Sequence, residues 1–377
     1  MHHDELSVRA GEMVARFAID GAMVALARHG RGHIHDTFAA TVRGPAGTRR
    51  YLLQRINRHV FPDPETLVHS IATVTTHLRD RLTAAGANTD GREALTLIPA
   101  RDGGWLVRDA AGGAWRLYDF VEGSATRESA VEPEDARTAA RGFARFLRLL
   151  SDLPASQLPE TIPHFHETPR RLAAFAEILH QDPHNRAGSA QDAIARIEQA
   201  APLARALTDL RDRGDLPVRT VHNDTKINNL LLDERTGREL CVIDLDTVMP
   251  GLALYDFGDL VRTIASATPE DEPDPSQVAA RPAFVLAAAQ GWIEGSAGSL
   301  LAAERARLIL AARLLSFECG LRFLTDYLAG DLYFKTTRPG QNLDRCRAQL
   351  ALEASLAIQE DALQGRIEEP SFAEAQP

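Results

Sequence analysis

Two short acidic segments hold the residues best suited to chemistry. The first is Val221-His222-Asn223-Asp224-Thr225-Lys226-Ile227-Asn228-Asn229-Leu230-Leu231-Leu232, and the second is Val242-Ile243-Asp244-Leu245-Asp246. Each combines apolar strand-like runs with a polar turn. Asp224 leaves one strand end, the Asn229 amide follows five residues later, and Asp244 ends the next strand. Such a set suits phosphoryl transfer from a nucleotide, which is catalysed by positioning and charge neutralisation. One carboxylate accepts the proton of the attacking hydroxyl. A carboxylate, an amide oxygen and waters form a usual Mg²⁺ ligand set. Taken singly, Asp224 and Asn229 are also common turn residues, whose side chains bond local backbone.

The spacing His-x-Asp-x-x-x-x-Asn followed by a further Asp is that of a protein-kinase catalytic loop. Within it, Lys226 is either a cation for the transferring phosphate or a solvated loop residue. His222 reads as an orienting residue that bonds backbone near Asp244, rather than as a substrate contact. Asp256, in Leu254-Tyr255-Asp256-Phe257-Gly258-Asp259, is placed to cap the helix that follows it.

These residues need a scaffold, and the chain has the length for one. Its 377 residues suit two lobes or two domains. The apolar share of 44% and the charged share of 25% are those of a folded globular protein. No apolar run approaches the about 20 residues that span a bilayer, and the N-terminus has no secretory pattern. Cys241, Cys319 and Cys346 lack metal-ligand spacing and read as reduced thiols of a cytoplasmic protein. A net charge of −10 argues against general nucleic-acid binding, which needs a basic face. No feature of the sequence sets an oligomeric state.

The elements follow from periodicity. Residues 5–18 read as a helix, Thr37–Val42 and Tyr51–Ile56 as a hairpin, and Glu65–Ala85 as a helix with apolar residues at Leu67, Ile71, Val74, Leu78 and Leu82. Short strands are expected near 95–98, 105–108 and 114–121. Beyond residue 132 the texture turns helical, with helices over 134–150, 169–181 and 189–213, and again from 254 to about 363 with breaks at Pro269–Pro275, Gly330 and Pro339-Gly340. The fold class is α+β: a β-rich N-lobe over residues 1–121, and a mainly helical C-lobe over 122–377 that carries the catalytic loop.

The catalytic segment resembles that of the aminoglycoside phosphotransferase and choline kinase superfamily, whose fold is protein-kinase-like and two-lobed. Tyr51–Pro64 (YLLQRINRHVFPDP), Leu117–Gly123 (LYDFVEG), His222–Asn229 (HNDTKINN), Val242–Arg262 (VIDLDTVMPGLALYDFGDLVR) and Arg322–Lys335 (RFLTDYLAGDLYFK) together resemble its N-acetylhexosamine 1-kinases. The resemblance implies ATP and Mg²⁺ as cofactors and a small-molecule sugar as acceptor. It implies Asp224 as catalytic base, Lys226 facing the reacting phosphoryl group, and Asn229 and Asp244 on the metal. Asp246 would hold the sugar or a second metal, and Asp256 would brace the loop.

In the N-lobe, Phe120, Val121 and Glu122 fall where a hinge offers its backbone to adenine. No lysine occupies the strand Tyr51–Ile56, which leaves Gln54 and Arg55 as phosphate contacts; Arg55 is otherwise an exposed strand residue. Arg31-Gly32-His33-Ile34-His35-Asp36-Thr37-Phe38 stands where a phosphate-covering loop is expected, with His33 either reaching the active site or a polar loop histidine. On the same resemblance Asp244, Arg322 and Tyr333 would complete the sugar site, Arg322 by forked hydrogen bonds and Tyr333 by packing on a sugar face; without it, Arg322 and Tyr333 read as helix-surface ion pairing and core packing. Two alternatives stay open: another hydroxyl acceptor (a different sugar, an amino alcohol, homoserine or an aminoglycoside), and a catalytically silent nucleotide-binding regulator.

Overall fold

The computed structural model describes residues 2–30, 34–87 and 90–372, so His33 lies outside the described residues. The backbone forms two compact units. One comprises Met1–Ala125, Leu158–Pro163 and Leu232–Val248; the other comprises Thr126–Gln157, His164–Leu231 and Met249–Pro377. Asp224, Lys226 and Asn229 belong to the second unit, and Asp244 and Asp246 to the first.

The first unit is built on five antiparallel strands: β1 (Ala22–Arg28), β2 (Asp36–Gly44), β3 (Gly47–Arg55), β4 (Val107–Arg108) and β5 (Ala114–Asp119), in the order β1-β2-β3-β5-β4. The expected hairpin is β2–β3, closed at Gly44 opposite Gly47. Alternation along these strands buries Phe38, Ala40, Val42, Tyr51 and Leu53 with Trp115, Leu117 and the N-terminal helix residues Ala10, Met13 and Val14. The helix Pro64–Ala84 begins where Asp63 accepts the Thr66 N–H at 3.0 Å, with Pro64 at its first position. Its expected stripe, Leu67, Ile71, Val74, Leu78 and Leu82, is buried.

Two sequence expectations fail here. Residues 95–98 form no strand; Leu97 makes a single bridge to Tyr118. Strand β1 has no sequence counterpart, because it is an edge strand exposed along most of its length and so lacks alternating polarity.

The second unit is helical. Pro133–Leu149 packs on Pro282–Ser296 so closely that a Cβ at Gly291 would stand 2.0 Å from the Arg137 carbonyl oxygen. Leu308–Leu328 packs against both Ala253–Ile264 and Gln341–Glu368. The single helix expected over 189–213 is instead Gln191–Ala200, a 3₁₀ segment Ala201–Arg205, and Thr208–Asp212. Pro202 has no N–H for an i→i−4 bond and its ring crowds the preceding turn. No described helix is long and apolar enough to cross a membrane.

Candidate active site

In the second unit the strand Arg219–Val221 pairs with Met249–Gly251 and delivers the chain to the loop that bears Asp224. The loop is tied down by Asp256, on the helix Ala253–Ile264. The His222 N–H donates to Asp256 Oδ2 at 2.8 Å, and the Asn223 N–H donates to Oδ1 at 2.7 Å. Thr225 Oγ1 donates to the Asp256 carbonyl at 2.5 Å. Asn223 sits at φ 65°, a left-handed turn that asparagine tolerates better than most residues. The Asp256 helix is itself pressed against Leu308–Leu328: a Cβ at Gly258 would lie 2.5 Å from the Ala311 carbonyl oxygen. Asp256 therefore caps the turn before Asp224, and position N-cap of its own helix is Leu252. Burial drives its carboxyl up to about 7, against the pull of the two N–H donors.

His222 is fully buried. Its ring meets the edges of Phe143 and Phe146, and its Nδ1 accepts the Asp224 N–H at 3.2 Å. The side chain acts on the loop backbone from within the core.

Asp224 is half-buried. Lys226 Nζ stands 2.9 Å from its Oδ1, and Asn229 Nδ2 donates to its Oδ2 at 3.2 Å and to its carbonyl at 2.9 Å. Burial pushes the carboxyl up, but Lys226, His222 and Arg262 outweigh it and hold Asp224 below the usual carboxylate range. Lys226 is raised in turn by Asp224, against the effect of burial. Asp224 is thus an ionised hydrogen-bond acceptor at neutral pH and a weak base. That suits orienting a hydroxyl and taking its proton late. Because Asn229 uses its amide nitrogen on Asp224, its carbonyl oxygen is the end left to ligate.

The Arg322 guanidinium lies over three rings, 5.0 Å from the centroid of Phe165, 5.5 Å from Phe334 and 6.0 Å from Tyr333. Tyr333 is 56% exposed. The turn that presents it is held by the buried Asp326 carboxylate, which accepts the N–H groups of Leu332, Tyr333 and Phe334 at 2.9, 2.8 and 2.9 Å and Asn342 Nδ2 at 3.0 Å. This cluster adjoins the catalytic loop through His166, whose Nε2 stands 3.2 Å from the Asn223 carbonyl and whose Nδ1 stands 2.8 Å from Glu318 Oε1. Burial pushes Glu318 up, yet His166, Arg171 and Arg322 bring it to about 2. Burial and the neighbouring Arg322 lower Arg171 to about 10.

In the first unit the strand Glu239–Val242 leads into Asp244, exposed and left-handed at φ 60°. Two residues on, Asp246 is buried. Arg116 grips both its oxygens, at 2.7 Å for Nη2 to Oδ2, and His35 Nε2 stands 3.1 Å from Oδ2. Gln54 Oε1 accepts Arg116 Nε and Nη2 at 2.9 and 2.8 Å, and Thr161 Oγ1 donates to the Asp246 carbonyl at 2.8 Å. Burial pushes Asp246 up, but Arg116 and His35 hold it well below the ordinary range.

Arg55 lies on β3, about one third exposed, with Nη1 3.7 Å from Asp36 Oδ2. Arg50 stacks on Phe120 at 3.9 Å and pairs with Glu122. Val121 accepts Ser124 Oγ at 2.6 Å.

Of the residues singled out in the sequence, Asp224, Lys226 and Asn229 are in direct contact, Arg322 and Tyr333 share one cluster, and Asp244 and Asp246 share one turn. Sequence reading missed Arg116, His35, His166, Glu318 and Asp326. A signal was present for Arg116: an arginine inside the apolar strand Ala114-Trp115-Arg116-Leu117-Tyr118 requires a buried partner.

The sequence matches the family model described as "Phosphotransferase enzyme family" over residues 26–295. Among solved structures it is similar to an aminoglycoside phosphotransferase from Alicyclobacillus acidocaldarius, with 14% identity over 93% of this chain and 95% of that one, at a TM-score of 0.61. A choline kinase from Cryptosporidium parvum is similar with 13% identity over 96% and 98%, at 0.54. A spectinomycin phosphotransferase in complex with ADP and spectinomycin is similar with 13% identity over 94% and 97%, at 0.52. These likenesses establish a protein-kinase-like fold with a sheet-rich N-terminal and a helical C-terminal region.

Proposed function

Because the chain belongs to the phosphotransferase enzyme family, we propose that it is a Mg²⁺-dependent kinase that moves the γ-phosphoryl group of ATP to the anomeric hydroxyl of an N-acetylhexosamine. The carrying observation is the Arg322, Tyr333, Phe165 and Phe334 cluster, joined through His166 to the backbone carbonyl beside Asp224. Exposed aromatic surface suits the C–H face of a sugar, and a guanidinium fork suits its hydroxyls or acetyl oxygen. The nearby Arg171 adds positive charge, which disfavours a polycationic aminoglycoside or choline as acceptor.

Asp224 orients the hydroxyl. As the hydroxyl oxygen bonds to phosphorus and the bridging P–O bond of ATP breaks, the proton passes to Asp224. Lys226 neutralises charge next to the reacting oxygens. Asn229 and Asp244 would hold Mg²⁺ through hard oxygens, and its charge would neutralise the phosphates. Among the described residues there is no cluster of three or more His, Cys, Asp or Glu able to hold a metal. Phe120, Val121 and Glu122 receive adenine, with Arg55 on the phosphate side. Residues 1–121 are thereby the nucleotide-binding lobe, and 122–377 the lobe that carries the catalytic loop and the sugar-binding helices. Asp246, already bound to Arg116 and His35, keeps the turn in place and offers a remaining lone pair to a sugar hydroxyl.

The test is ADP release with ATP and Mg²⁺ across N-acetylglucosamine, N-acetylgalactosamine, plain hexoses, choline, homoserine and an aminoglycoside. Turnover confined to the N-acetyl sugars supports the assignment. Turnover on another acceptor alone replaces the sugar, and ATP binding without turnover on any acceptor supports the silent regulator.

A further inference from the structure

The second unit contains a cavity of about 580 Å³ that shares Lys226 with the catalytic loop. Lys226, Asn228, Arg262, Arg281 and Gln349 line it together with apolar side chains that include Val278 and Leu352. Its cations are all engaged. Lys226 pairs with Asp224 at 2.9 Å, Arg262 with Asp259 and Glu270 at 2.8 Å, and Arg281 donates to the Ile264 carbonyl at 2.8 Å. Two of its amide oxygens are not. Gln349 is 4% exposed and its Oε1 has no hydrogen-bond partner, and neither does the buried Oδ1 of Asn228.

Buried, unpartnered acceptors favour a ligand that brings donors. An anion would meet two amide oxygens and no uncommitted cation. A cation would sit against Lys226, Arg262 and Arg281, with Glu270 already paired with Arg262 and Glu128 the remaining acid of the lining. An uncharged ring with several hydroxyls satisfies the amides and lays its C–H face on Val278 and Leu352. The volume falls within the about 300–1,000 Å³ of small-molecule sites. We propose that this cavity is a second saccharide subsite, in which Gln349 and Asn228 accept hydrogen bonds from an uncharged, hydroxyl-rich ring. Its link to the acceptor, through Lys226 and Asp224, rests on the sugar-kinase reading; the binding itself does not. The ring is either the second unit of a longer acceptor or a free sugar.

Isothermal titration of the full chain without nucleotide tests this, using N-acetylglucosamine and N,N′-diacetylchitobiose on the wild type, Gln349→Leu and Leu352→Trp. Gln349→Leu removes an unpartnered amide at similar volume, so its unliganded melting temperature should equal or exceed that of the wild type. Its kcat/KM on N-acetylglucosamine should be unchanged. Disaccharide affinity should fall about tenfold or more in both variants, the loss of one good hydrogen bond. Displacement of the disaccharide by the monosaccharide identifies a longer acceptor. Two monosaccharide sites, one of them sensitive to Gln349→Leu, identify a free sugar. Sugar binding that is absent, or indifferent to both variants, overturns the subsite even if the enzyme turns over. Gln349-dependent binding of inorganic phosphate or choline overturns the ligand class. Gln349-dependent sugar binding without ADP release on any acceptor keeps the subsite and removes the kinase.

Discussion

The two acidic turns, one in each compact unit, are held by opposite means. In the second unit the buried carboxylate Asp256 grips the catalytic loop through backbone N–H groups at 2.7 and 2.8 Å. In the first, the buried carboxylate Asp246 is gripped by side chains, Arg116 and His35. Burial prevails at Asp256, whose carboxyl rises to about 7. At Asp246 burial is outweighed by Arg116 and His35, and the carboxyl stays well below its ordinary range. Two N–H dipoles offset less desolvation than a full guanidinium charge. The loop that carries Asp224 is thereby fixed in shape without a further cation in its anchor. The turn that carries Asp244 is fixed by a charge whose field also reaches Asp244.

The contrast is most readily broken at Arg116. Arg116→Met leaves the buried Asp246 carboxylate with His35 alone in place of a guanidinium, and should cost about 3–5 kcal/mol in urea denaturation. Adding Asp246→Leu should recover most of that loss. A single variant as stable as the wild type would refute the charge-held turn.

Asp256→Asn comes next. The amide keeps one acceptor and sets an NH₂ group against the other N–H donor, which should cost about 1–3 kcal/mol. It should also lower kcat about 100-fold by displacing Asp224. Normal kcat at reduced stability would show that Asp256 supports the fold alone.

Asp326→Asn sharpens the contrast with a third turn, the one that presents Tyr333, which like the Asp224 loop is held through backbone N–H groups. The acceptor KM should rise about tenfold while the KM for ATP stays constant, because one charge-assisted bond is weakened. Equal rises in both constants would detach Tyr333 from the acceptor.

The smallest effect is in pH dependence. The folded-state pKa of Asp256 is raised, so its stabilising contribution is full below the unfolded value near 3.9 and is lost as pH rises through about 7. Asp246 is depressed, so its contribution is present above about 3.9 and lost as pH falls toward its folded value. Between pH 5 and about 7.5, wild-type stability should fall relative to Asp256→Asn, while Asp246 contributes no slope in that window. Parallel stability–pH curves for the two proteins would contradict the high Asp256 pKa.

What the sequence revealed follows from how local each feature is. The contacts among Asp224, Lys226 and Asn229 join residues at most five positions apart, and their spacing alone marks them. The apolar period of Pro64–Ala84 is equally local. Arg116 and Asp246 are 130 positions apart, and His166 and Glu318 are 152 apart, so no spacing pattern couples them. Asp326 resembles any polar helix residue until three N–H groups from the following turn are found on it. Sequence pattern marks the candidate residues; long-range packing decides what holds them.

The most direct test of the proposed chemistry is ³¹P NMR of the product formed from ATP, Mg²⁺ and N-acetylglucosamine, with Asp224→Asn in parallel. The expected signal is a sugar phosphate coupled to the anomeric proton. In the variant it should form at least about 100-fold more slowly, as for loss of a positioned proton acceptor. Phosphate on any other hydroxyl would contradict the acceptor assignment, and undiminished transfer in Asp224→Asn would contradict the role of the loop.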